Sequence, residues 1–354
     1  MKHTINGTVN TKKIIVTGVT GQDGSHMVDY LLKNVDCKIF GSLRRISVPN
    51  YKHIKHLKNE SRFESIKLDL TDSYSIQNAI IKIQPDYFIN FGAQSFVQSS
   101  WDFPEQTFQT DATAMIHILE AIRKFAPKCH FYNAGSSEEF GDVVYSPQDE
   151  KHPLRPQSPY GAAKAAARHL VRVYKESYDL YAIQGWLFNH EGTRRGYEFV
   201  TRKISDSIAR IKKCIEKNED FKPLKLGNLD AKRDWTDAED FMDGVWKMLN
   251  QEPVDPQNYV LASGEMYTIR EFLQETLKYA GIKFVVSGEK EDEKYLTEDG
   301  KTLVTIDPSH YRYAEVKELL GDCSRAKKEL GWKPKNSFIQ LVHKMYDNDY
   351  AENS

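Results

Sequence analysis

Short apolar runs alternate along the chain with longer segments in which apolar residues recur every three or four positions. The runs predict buried strands at residues 13–18, 37–43, 65–70, 87–93, 129–135 and 181–188. The segments between and after them predict helices, including residues 25–34, 104–125 and 237–250. Strands that alternate with helices are typical of a parallel sheet covered on both faces. We therefore predict an α/β fold with a doubly wound parallel sheet that binds its ligands at the carboxyl ends of the strands.

Length and composition predict an ordinary globular protein. The chain has 354 residues, of which 40% are hydrophobic and 28% charged. This length predicts one large or two modest domains. The formal net charge of −1 creates no overall field toward nucleic acid or a membrane surface, so we expect neither as a partner.

The four cysteines, Cys37, Cys129, Cys214 and Cys323, show neither a paired spacing nor a metal-ligand pattern. We expect reduced thiols, no bound metal and a cytoplasmic location. The first eleven residues lack the apolar centre of a secretory signal, and no stretch approaches the length of a membrane span.

A glycine-rich turn follows the first predicted strand and precedes a predicted helix. Gly18, Gly21 and Gly24 form the spacing Gly-x-x-Gly-x-x-Gly, which is less common than Gly-x-Gly-x-x-Gly in dinucleotide sites. Glycines let the backbone approach a pyrophosphate, and the start of a helix supplies N–H groups and a partial positive charge. A glycine motif alone is often only a turn, but its place in the first βα unit favours a dinucleotide cofactor.

The second predicted strand ends without the acidic residue that usually binds the ribose 2′-hydroxyl of NAD. Arg44 and Arg45 stand there instead, and a guanidinium group suits a 2′-phosphate. Two solvated loop arginines are the alternative. The missing acid favours NADP. Asp69, after the third strand, is expected either to accept from the adenine amine or to cap the helix that begins near Thr71.

Tyr160 and Lys164 lie four residues apart in an alanine-rich segment that predicts a helix, with Pro159 suited to its first turn. Positions four apart share one face of a helix. The lysine charge is expected to favour the phenolate, which lets Tyr160 remove a proton from an alcohol. A solvated surface helix is the alternative.

Ser136 and Glu138 directly follow the fifth predicted strand, at the edge of the sheet where ligands bind. A solvated helix cap is the alternative reading of these two residues. Beside Tyr160 and Lys164, however, they complete a set of hydroxyl, carboxylate, phenol and cation. That set predicts a redox site for an alcohol with additional acid–base capacity.

Taken together, these motifs resemble the extended short-chain dehydrogenase/reductase family and, within it, the GDP-mannose 4,6-dehydratase family, from about residue 12 to residue 347. The glycine turn and the Tyr160–Lys164 pair fit any extended member. Residues 188–196, 199–203, 226–235 and 330–334 also carry the resemblance, and within them the stretches 189–191, 194–195 and 227–235 are the most particular to the dehydratases.

The resemblance implies a Rossmann domain that binds NADP and a second, smaller, mostly α C-terminal domain that binds the nucleotide sugar. The first comprises residues 12–188 plus about 233–261, because the helix predicted at 237–250 returns the chain to the sheet. The second comprises about 189–232 plus 262–348 and is therefore discontinuous. The mixed-sign charge run at 289–294 predicts a solvated excursion over residues 289–301.

Matched position by position, the resemblance implies three sets of site residues. The catalytic set is Ser136, in place of the family's threonine, Glu138 as acid and base, Tyr160 as redox base, and Lys164. The cofactor set is Gly18, Thr20, Gly21, Gln22, Asp23, Arg44, Asp69, Leu70, Phe91, Gly92, Ala93, Gln94, Ser95, Lys164, His190 and Arg195. The substrate set is Ser95, Glu138, Tyr160, Asn189, Val200, Lys203, Gly227, Arg233, Arg312 and Glu315.

The activity implied is conversion of GDP-α-D-mannose to GDP-4-keto-6-deoxy-D-mannose and water. It proceeds by oxidation at C4, elimination across C5 and C6 and hydride return to C6, as a first step toward GDP-deoxyhexoses such as GDP-fucose. The family also implies a homodimer or homotetramer. Three alternatives stay open: a dehydratase of a GDP-heptose, an NDP-sugar 4-epimerase, and a cofactor-sensing regulator on the same fold.

Five positions depart from the family pattern. Ser136 lacks the threonine methyl group, and Glu139 stands where an apolar residue is expected, so two acids adjoin. Phe96 replaces a histidine, Gln106 a tyrosine and Tyr313 a proline. These departures leave the reaction intact but leave the identity of the sugar open.

Overall fold

Seven parallel strands form the central sheet of the protein in the computed structural model, which describes residues 11–48, 50–251, 255–310 and 318–353. In chain order the described strands are β1 (Lys12–Thr17), β2 (Cys37–Leu43), β3 (Phe63–Lys67), β4 (Tyr87–Asn90), β5 (His130–Ala134), β6 (Ala182–Leu187), β7 (Asn189–Glu191), β8 (Leu224–Leu226), β9 (Lys232–Arg233), β10 (Trp235–Asp237), β11 (Val260–Leu261), β12 (Tyr267–Thr268), β13 (Val285–Ser287), β14 (Lys294–Leu296) and β15 (Thr302–Ile306). The central sheet has the order β3-β2-β1-β4-β5-β6-β11. The strand order therefore reverses between β1 and β4, as the doubly wound prediction requires.

Helices cover both faces of this sheet. In chain order the described α-helices are α1 (Gln22–Asn34), α2 (Ser73–Ile83), α3 (Ser99–Asp102), α4 (Pro104–Phe108), α5 (Ala114–Phe125), α6 (Pro159–Tyr178), α7 (Val200–Glu216), α8 (Ala238–Leu249), α9 (Ile269–Tyr279), α10 (Ser324–Leu330) and α11 (Phe338–Glu352). Short 3₁₀ turns form at Lys52–Asn59, Ser137–Glu139, Lys290–Asp292 and Pro308–His310.

Side chains alternate between the two faces along β1, because successive residues of a strand point in opposite directions. Ile14 and Val16 are buried with side chains from α1 and α8 on one face. Ile15 is buried with side chains from α2, α5 and α6 on the other. Two hydrophobic cores thus enclose the sheet and hold its strand ends in fixed positions.

A third core lies among α7, α9, α11 and a four-stranded sheet of order β13-β14-β15-β8. Tyr295 on β14 is fully buried in it. The predicted solvated excursion over residues 289–301 is therefore wrong at Glu293 and Tyr295, which are buried, although most of the other residues in this range are exposed. The residues next to Tyr295 are charged, so the sequence pattern did not indicate a strand with a side chain packed in the core. Glu293 is also buried, beside Arg270.

The segment that leads to α10 packs on the core of the central sheet. Leu319, Cys323, Ala326 and Trp332 belong to the same buried cluster as Phe241 of α8. The domain boundaries drawn from the sequence stay a prediction. Along the described stretches of the chain, we find no helix with the length and apolar character needed to cross a membrane.

Several element ends differ from the sequence prediction. α1 begins at Gln22 rather than residue 25, which brings Gln22 and Asp23 into its first turn. β3 ends at Lys67 and β4 at Asn90, each three residues early. The helix predicted at 104–125 is interrupted by a π turn at Gln109–Thr113. Such turns often mark functional sites.

Candidate active site

A cavity of about 1220 Å³ opens where β1, β4, β5 and β6 end. Its wall includes Gly18, Phe91, Gly135 and Phe188, which follow these four strands. The opposite wall comes from the segments around α7, β8 and the turn Pro308–His310. The cavity therefore lies at the point where the strand order reverses and between the central sheet and the third core, where ligands of this fold class bind.

The glycine turn forms one end of this cavity. Gly18 has a φ of +69°, and a Cβ there would lie 2.8 Å from the Phe91 carbonyl carbon. Among the residues that the structure describes, no side chain caps the start of α1, and the Gln22 Oε1 and Asn189 Oδ1 atoms are buried without a hydrogen-bond partner. A helix start with unused N–H groups, beside a backbone that tolerates no side chain, fits the pyrophosphate of a dinucleotide.

His190 ties the start of α1 to β7. Its Nδ1 donates to the Phe188 carbonyl at 2.7 Å, and its Nε2 lies 3.0 Å from Asp23 Oδ2. Burial favours the neutral ring, but the charge of Asp23 and the hydrogen bond to it raise the pKa of His190. Burial likewise opposes ionisation of Asp23, yet the charges of His190 and Arg195 lower its pKa overall. This ion pair holds the two predicted cofactor residues in the cavity wall.

Arg194 and Arg195 have different surroundings. Arg195 stacks on the Phe199 ring, 3.4 Å from its centre, with Nε 3.0 Å from Glu191 Oε2. Arg194 binds Asp29 on α1 at 2.5 Å, while its Nη1 is buried in the cavity wall with no hydrogen-bond partner in the described part of the chain. From the sequence, the Arg194–Arg195 pair is a candidate to bind a diphosphate, but Arg233 and Arg312 are preferred there, so Arg194 is not in the predicted sets.

Tyr160 and Lys164 lie in the first turns of α6, as predicted. Ser158 caps this helix, and Pro159 occupies its first turn. Lys164 Nζ donates to the Ala134 carbonyl at the end of β5, at 3.0 Å, and lies 5.7 Å from the Tyr160 ring centre. Both side chains line the cavity.

Tyr160 differs from the sequence prediction in its acidity. Burial raises its pKa, the charges of Asp111, Glu138 and Glu139 raise it further, and a hydrogen bond with Ser136 lowers it. From the sequence, the charge of Lys164 is expected to favour the phenolate. In the protein without ligands the pKa of Tyr160 is instead raised, so this expectation is wrong. Sequence spacing placed the lysine but could not show how deeply the phenol is buried.

The adjacent acids Glu138 and Glu139 point to different places. Ser136 caps the 3₁₀ turn Ser137–Glu139, and its hydroxyl accepts from the Glu138 N–H at 3.2 Å. Glu138 is half-buried and lines the cavity. Glu139 is fully buried and bonds to Arg168. Of these two acids, only Glu138, the predicted acid and base, lines the cavity.

The predicted substrate residues meet on the far wall. Asn189, Val200, Lys203, Gly227 and Arg233 all line the cavity. Lys203 Nζ lies 3.3 Å from His310 Nε2, and burial lowers the pKa of Lys203. Arg312, Glu315 and the unusual Tyr313 lie outside the described residues.

Four predicted cofactor residues lie away from the cavity wall as the described residues define it: Arg44, Asp69, Leu70 and Gln94. Arg44 is exposed just after β2. Asp69 accepts from the Thr71 N–H and hydroxyl at 2.9 and 2.8 Å, while Asp72 caps α2. Their cofactor roles stay predictions, and the capping alternative for Asp69 is wrong.

The other members of that group have structural surroundings. Leu70 is buried and would lie 2.7 Å from a Cβ at Gly92. The Gln94 amide donates to the Phe96 carbonyl and to Thr107. Of the remaining departures, Phe96 packs edge-on against Phe199, and Gln106 is exposed.

The sequence of the chain is similar to those of known proteins. The family model described as GDP-mannose 4,6 dehydratase matches residues 15–345. The chain is 40% identical over 362 residues to GDP-mannose 4,6-dehydratase of Vibrio cholerae serotype O1, covering 97% of this chain and 95% of that protein. It is 41% identical over 344 residues to human GDP-mannose 4,6 dehydratase, covering 95% and 90% of the two chains.

Solved structures share the fold at lower identity. UDP-glucose 4-epimerase of Thermotoga maritima with UDP-glucose aligns with a TM-score of 0.78 at 20% identity, covering 96% of this chain and 98% of that one. RMD from Pseudomonas aeruginosa complexed with NADPH aligns at 0.74 and 21% identity, covering 97% and 100%. dTDP-glucose 4,6-dehydratase of Bacillus anthracis in complex with NAD aligns at 0.77 and 20% identity, covering 97% of both chains.

Proposed function

The chain belongs to the GDP-mannose 4,6-dehydratase family, and we propose that it converts GDP-α-D-mannose to GDP-4-keto-6-deoxy-D-mannose and water. One observation carries this proposal: Glu138 lines the same cavity as Tyr160 and Lys164. A phenol–lysine pair serves oxidation of an alcohol, and a separate carboxylate serves removal of a carbon-bound proton.

We propose NADP as the cofactor. The glycine turn and the start of α1 would hold its pyrophosphate, the strand end at Phe91 and Gly92 would pack beside it, and Lys164, His190 and Arg195 line the same cavity. Arg44 is exposed where β2 ends, and this strand end has no acidic residue. When bound, the cofactor supplies a hydride acceptor for C4, a hydride donor for C6 and a positive charge in its oxidised form.

Tyr160 takes the proton of the sugar 4-hydroxyl as C4 becomes a ketone. The bare protein holds Tyr160 protonated because burial and the nearby carboxylates raise its pKa. Ionisation in the complex therefore depends on positive charge near the ring, and the Lys164 ammonium, 5.7 Å from the ring centre, supplies part of it. Ser136 lines the cavity with Tyr160 and helps to orient the sugar hydroxyl.

The 4-ketone acidifies the C5 hydrogen, and Glu138 removes it. The C6 hydroxyl then leaves as water, and the proton it needs comes from Glu138 or through Ser136. When C6 takes back the hydride, C5 takes up a proton, and Tyr160 holds the one removed from the 4-hydroxyl. Each positioned acid–base step contributes about 10²–10⁴-fold to the rate. The positions of Glu138 and Ser136 in one short turn support both roles.

The substrate nucleotide would lie along the far wall. Lys203 and Arg233 supply positive charge there, which suits a diphosphate. Phosphate binding by an arginine is commonly bidentate, so Arg233 also fixes orientation.

The test is incubation with GDP-mannose and NADP followed by the product mass. Loss of one water with no net reduction of the cofactor supports the proposal. An unchanged mass with an altered sugar configuration indicates a 4-epimerase and overturns it. Turnover of a GDP-heptose in preference to GDP-mannose would replace the substrate but keep the reaction.

We further propose a cytoplasmic homodimer or homotetramer. All four cysteines are unpaired, as expected in a reducing compartment. Trp101 and Phe103 expose large apolar surfaces beside α4, which suits an interface between copies. Light scattering coupled to gel filtration measures the mass of the particle and tests the assembly.

A further inference from the structure

Glu139 and Arg168 form an ion pair inside the protein, behind the turn that carries Ser136 and Glu138. Glu139 is fully buried, and Arg168 is 6% exposed. The Arg168 Nε donates to Glu139 Oε2, and its Nη2 donates to Oε1 at 3.2 Å. The guanidinium also stacks 3.4 Å from the centre of the Trp186 ring. Neither residue lines the cavity or has a role in the proposed reaction.

The Glu139 carboxylate holds the backbone of Ser136. Glu139 Oε1 accepts from the Ser136 N–H at 2.8 Å and from Gln184 Nε2 at 3.0 Å. A Cβ at Gly135 would lie 2.6 Å from this oxygen, so only glycine allows the carboxylate so close to the backbone. The contact fixes Ser136, whose hydroxyl accepts from the Glu138 N–H and which lines the cavity together with Tyr160.

A polar chain continues from this carboxylate across the sheet to the cofactor side of the cavity. Gln184 Oε1 accepts from Asn133, Asn133 Oδ1 accepts from Asn90, and Asn90 Oδ1 accepts from Thr17, each at 2.5–2.7 Å. Thr17 in turn accepts from the Gly92 N–H at 2.9 Å. A buried network with satisfied members defines one arrangement of the groups it joins.

Stability alone does not account for the pair. The cost of removing two buried charges from water offsets their attraction. A protein with apolar residues of similar volume in their place is therefore often as stable or more stable. What apolar residues cannot supply is an acceptor for the Ser136 N–H. Ser136 also lacks the methyl group that restricts the side-chain rotamer of threonine. Its hydroxyl therefore depends more on the surrounding hydrogen bonds for its position.

We propose that Glu139, held by Arg168, is a positioning residue that fixes the Ser136–Glu138 turn against Tyr160. It touches neither substrate nor cofactor and acts through the Ser136 backbone. This inference rests on the proposed function, because its kinetic consequence is a slower dehydration step.

Two matched double variants of the full chain separate positioning from stability. One double variant combines Arg168→Met with Glu139→Leu, and the other combines Arg168→Met with Glu139→Gln. Both remove the two charges, and both leave the backbone carbonyl groups that Arg168 binds without the guanidinium. Glutamine at position 139 can still accept from the Ser136 N–H and from Gln184 Nε2, whereas leucine can accept from neither. Protection of the Ser136 amide, measured by hydrogen exchange, reports on the Ser136 contact itself. Unfolding midpoints are measured first, and rates are compared at a temperature where both variants are folded.

We expect the leucine variant to lower kcat by about 10- to 100-fold, since small displacements of catalytic groups carry costs of that size. The KM for GDP-mannose should stay within about twofold, because the substrate wall lies on other elements. The glutamine variant should keep kcat within about threefold of the parent. Equal kcat values in the two variants would overturn the inference.

Hydrogen exchange gives a readout that needs no substrate. The Ser136 amide should exchange faster in the leucine variant and at the parent rate in the glutamine variant. Equal protection in both would contradict the positioning role, whatever the kinetics. If the parent fails to dehydrate GDP-mannose, the proposed function fails while this exchange comparison still decides the inference.

If the leucine variant does not fold, Glu139→Asp takes its place. Aspartate keeps the charge for Arg168 but is one methylene shorter, so it cannot reach the Ser136 N–H from the same backbone position. The same loss of kcat with unchanged KM is expected. A parent-like kcat in a folded Glu139→Asp protein would overturn the inference.

Discussion

Lys164 and Tyr160 share one face of α6, with Lys164 Nζ 5.7 Å from the centre of the Tyr160 ring. The ammonium donates to the Ala134 carbonyl at 3.0 Å, which fixes it to the end of β5. The lysine therefore contributes positive charge from a position set by the sheet, not by a flexible side chain. This charge opposes the burial and the carboxylates that raise the pKa of Tyr160.

Replacement of Lys164 by methionine should lower kcat by about 10²-fold or more and move the rise of kcat/KM with pH to higher pH. Without the cation the phenolate is less favoured, so the pKa of the base increases. The measurement is the pH profile of kcat/KM, with Tyr160→Phe as the reference that lacks the base. A Lys164→Met profile that superimposes on the parent profile would show that the lysine charge does not assist the base.

Glu138→Gln should spare oxidation at C4 and abolish dehydration, because glutamine cannot remove the C5 proton. The reduced cofactor should then accumulate on the enzyme, visible by its absorbance, with no loss of water in the sugar product. Glu198→Gln is the control, since Glu198 is another carboxylate of the cavity wall on the loop before α7. It should still give the dehydrated product, and parent-like turnover by Glu138→Gln would end the assignment.

The sequence was sufficient where a function depends on near neighbours in the chain. The glycine turn, the Tyr160–Lys164 spacing and the alternation of strands and helices are local patterns. The structure has the predicted parallel sheet and brings the glycine turn, Tyr160 and Lys164 to one cavity. Ser136 and Glu138 could be placed because residues after a parallel strand reach the ligand edge.

Features set by distant parts of the chain could not be predicted in this way. Glu139 meets Arg168 across 29 positions, so a local pattern showed only two adjacent acids. The π turn at Gln109–Thr113 could not be told from ordinary helix by its sequence. The strand that contains Tyr295 was not predicted because its neighbours in the chain are charged. The high pKa of Tyr160 arises from burial and from carboxylates on separate elements.

Arg44→Ala should weaken NADP binding and leave NAD binding unchanged. A hydrogen bond to a charged group contributes about 1.5–3 kcal/mol, which corresponds to a loss of about 10- to 100-fold in NADP affinity. Titration of each cofactor by fluorescence or calorimetry measures both affinities, and the same titration of Arg45→Ala shows which of the two adjacent arginines contributes. Equal weakening of NADP and NAD would show that Arg44 does not contact the 2′-phosphate.

Asp111 gives a prediction about stability. It lies in the π turn behind the catalytic groups, is 2% exposed and accepts from the Gln94 N–H at 2.8 Å through Oδ1. Its Oδ2 is buried without a hydrogen-bond partner among the described residues. Burial raises the pKa of Asp111 to about 6, although the charge of Lys164 and the Gln94 hydrogen bond act to lower it.

A carboxyl group with a raised folded pKa favours the folded state only while it is protonated. In the unfolded chain it loses its proton near the ordinary value of about 3.9, whereas the folded protein keeps it until about pH 6. Between these values the folded state binds more protons, so the free energy of unfolding falls as pH rises. Below about pH 4, protonated Asp111 therefore contributes about 3 kcal/mol to the free energy of unfolding, and this contribution is lost by about pH 7.

Asp111→Asn keeps the acceptor for Gln94 and removes the titration. The free energy of unfolding of the variant, minus that of the parent, should therefore rise by about 3 kcal/mol between about pH 4 and pH 7. Denaturant titrations of both proteins without ligand across this range measure the difference. Because all other titrating groups are shared, they cancel in the subtraction. A difference that stays flat, or that falls with pH, would mean that Asp111 ionises in the folded protein as readily as in the unfolded chain.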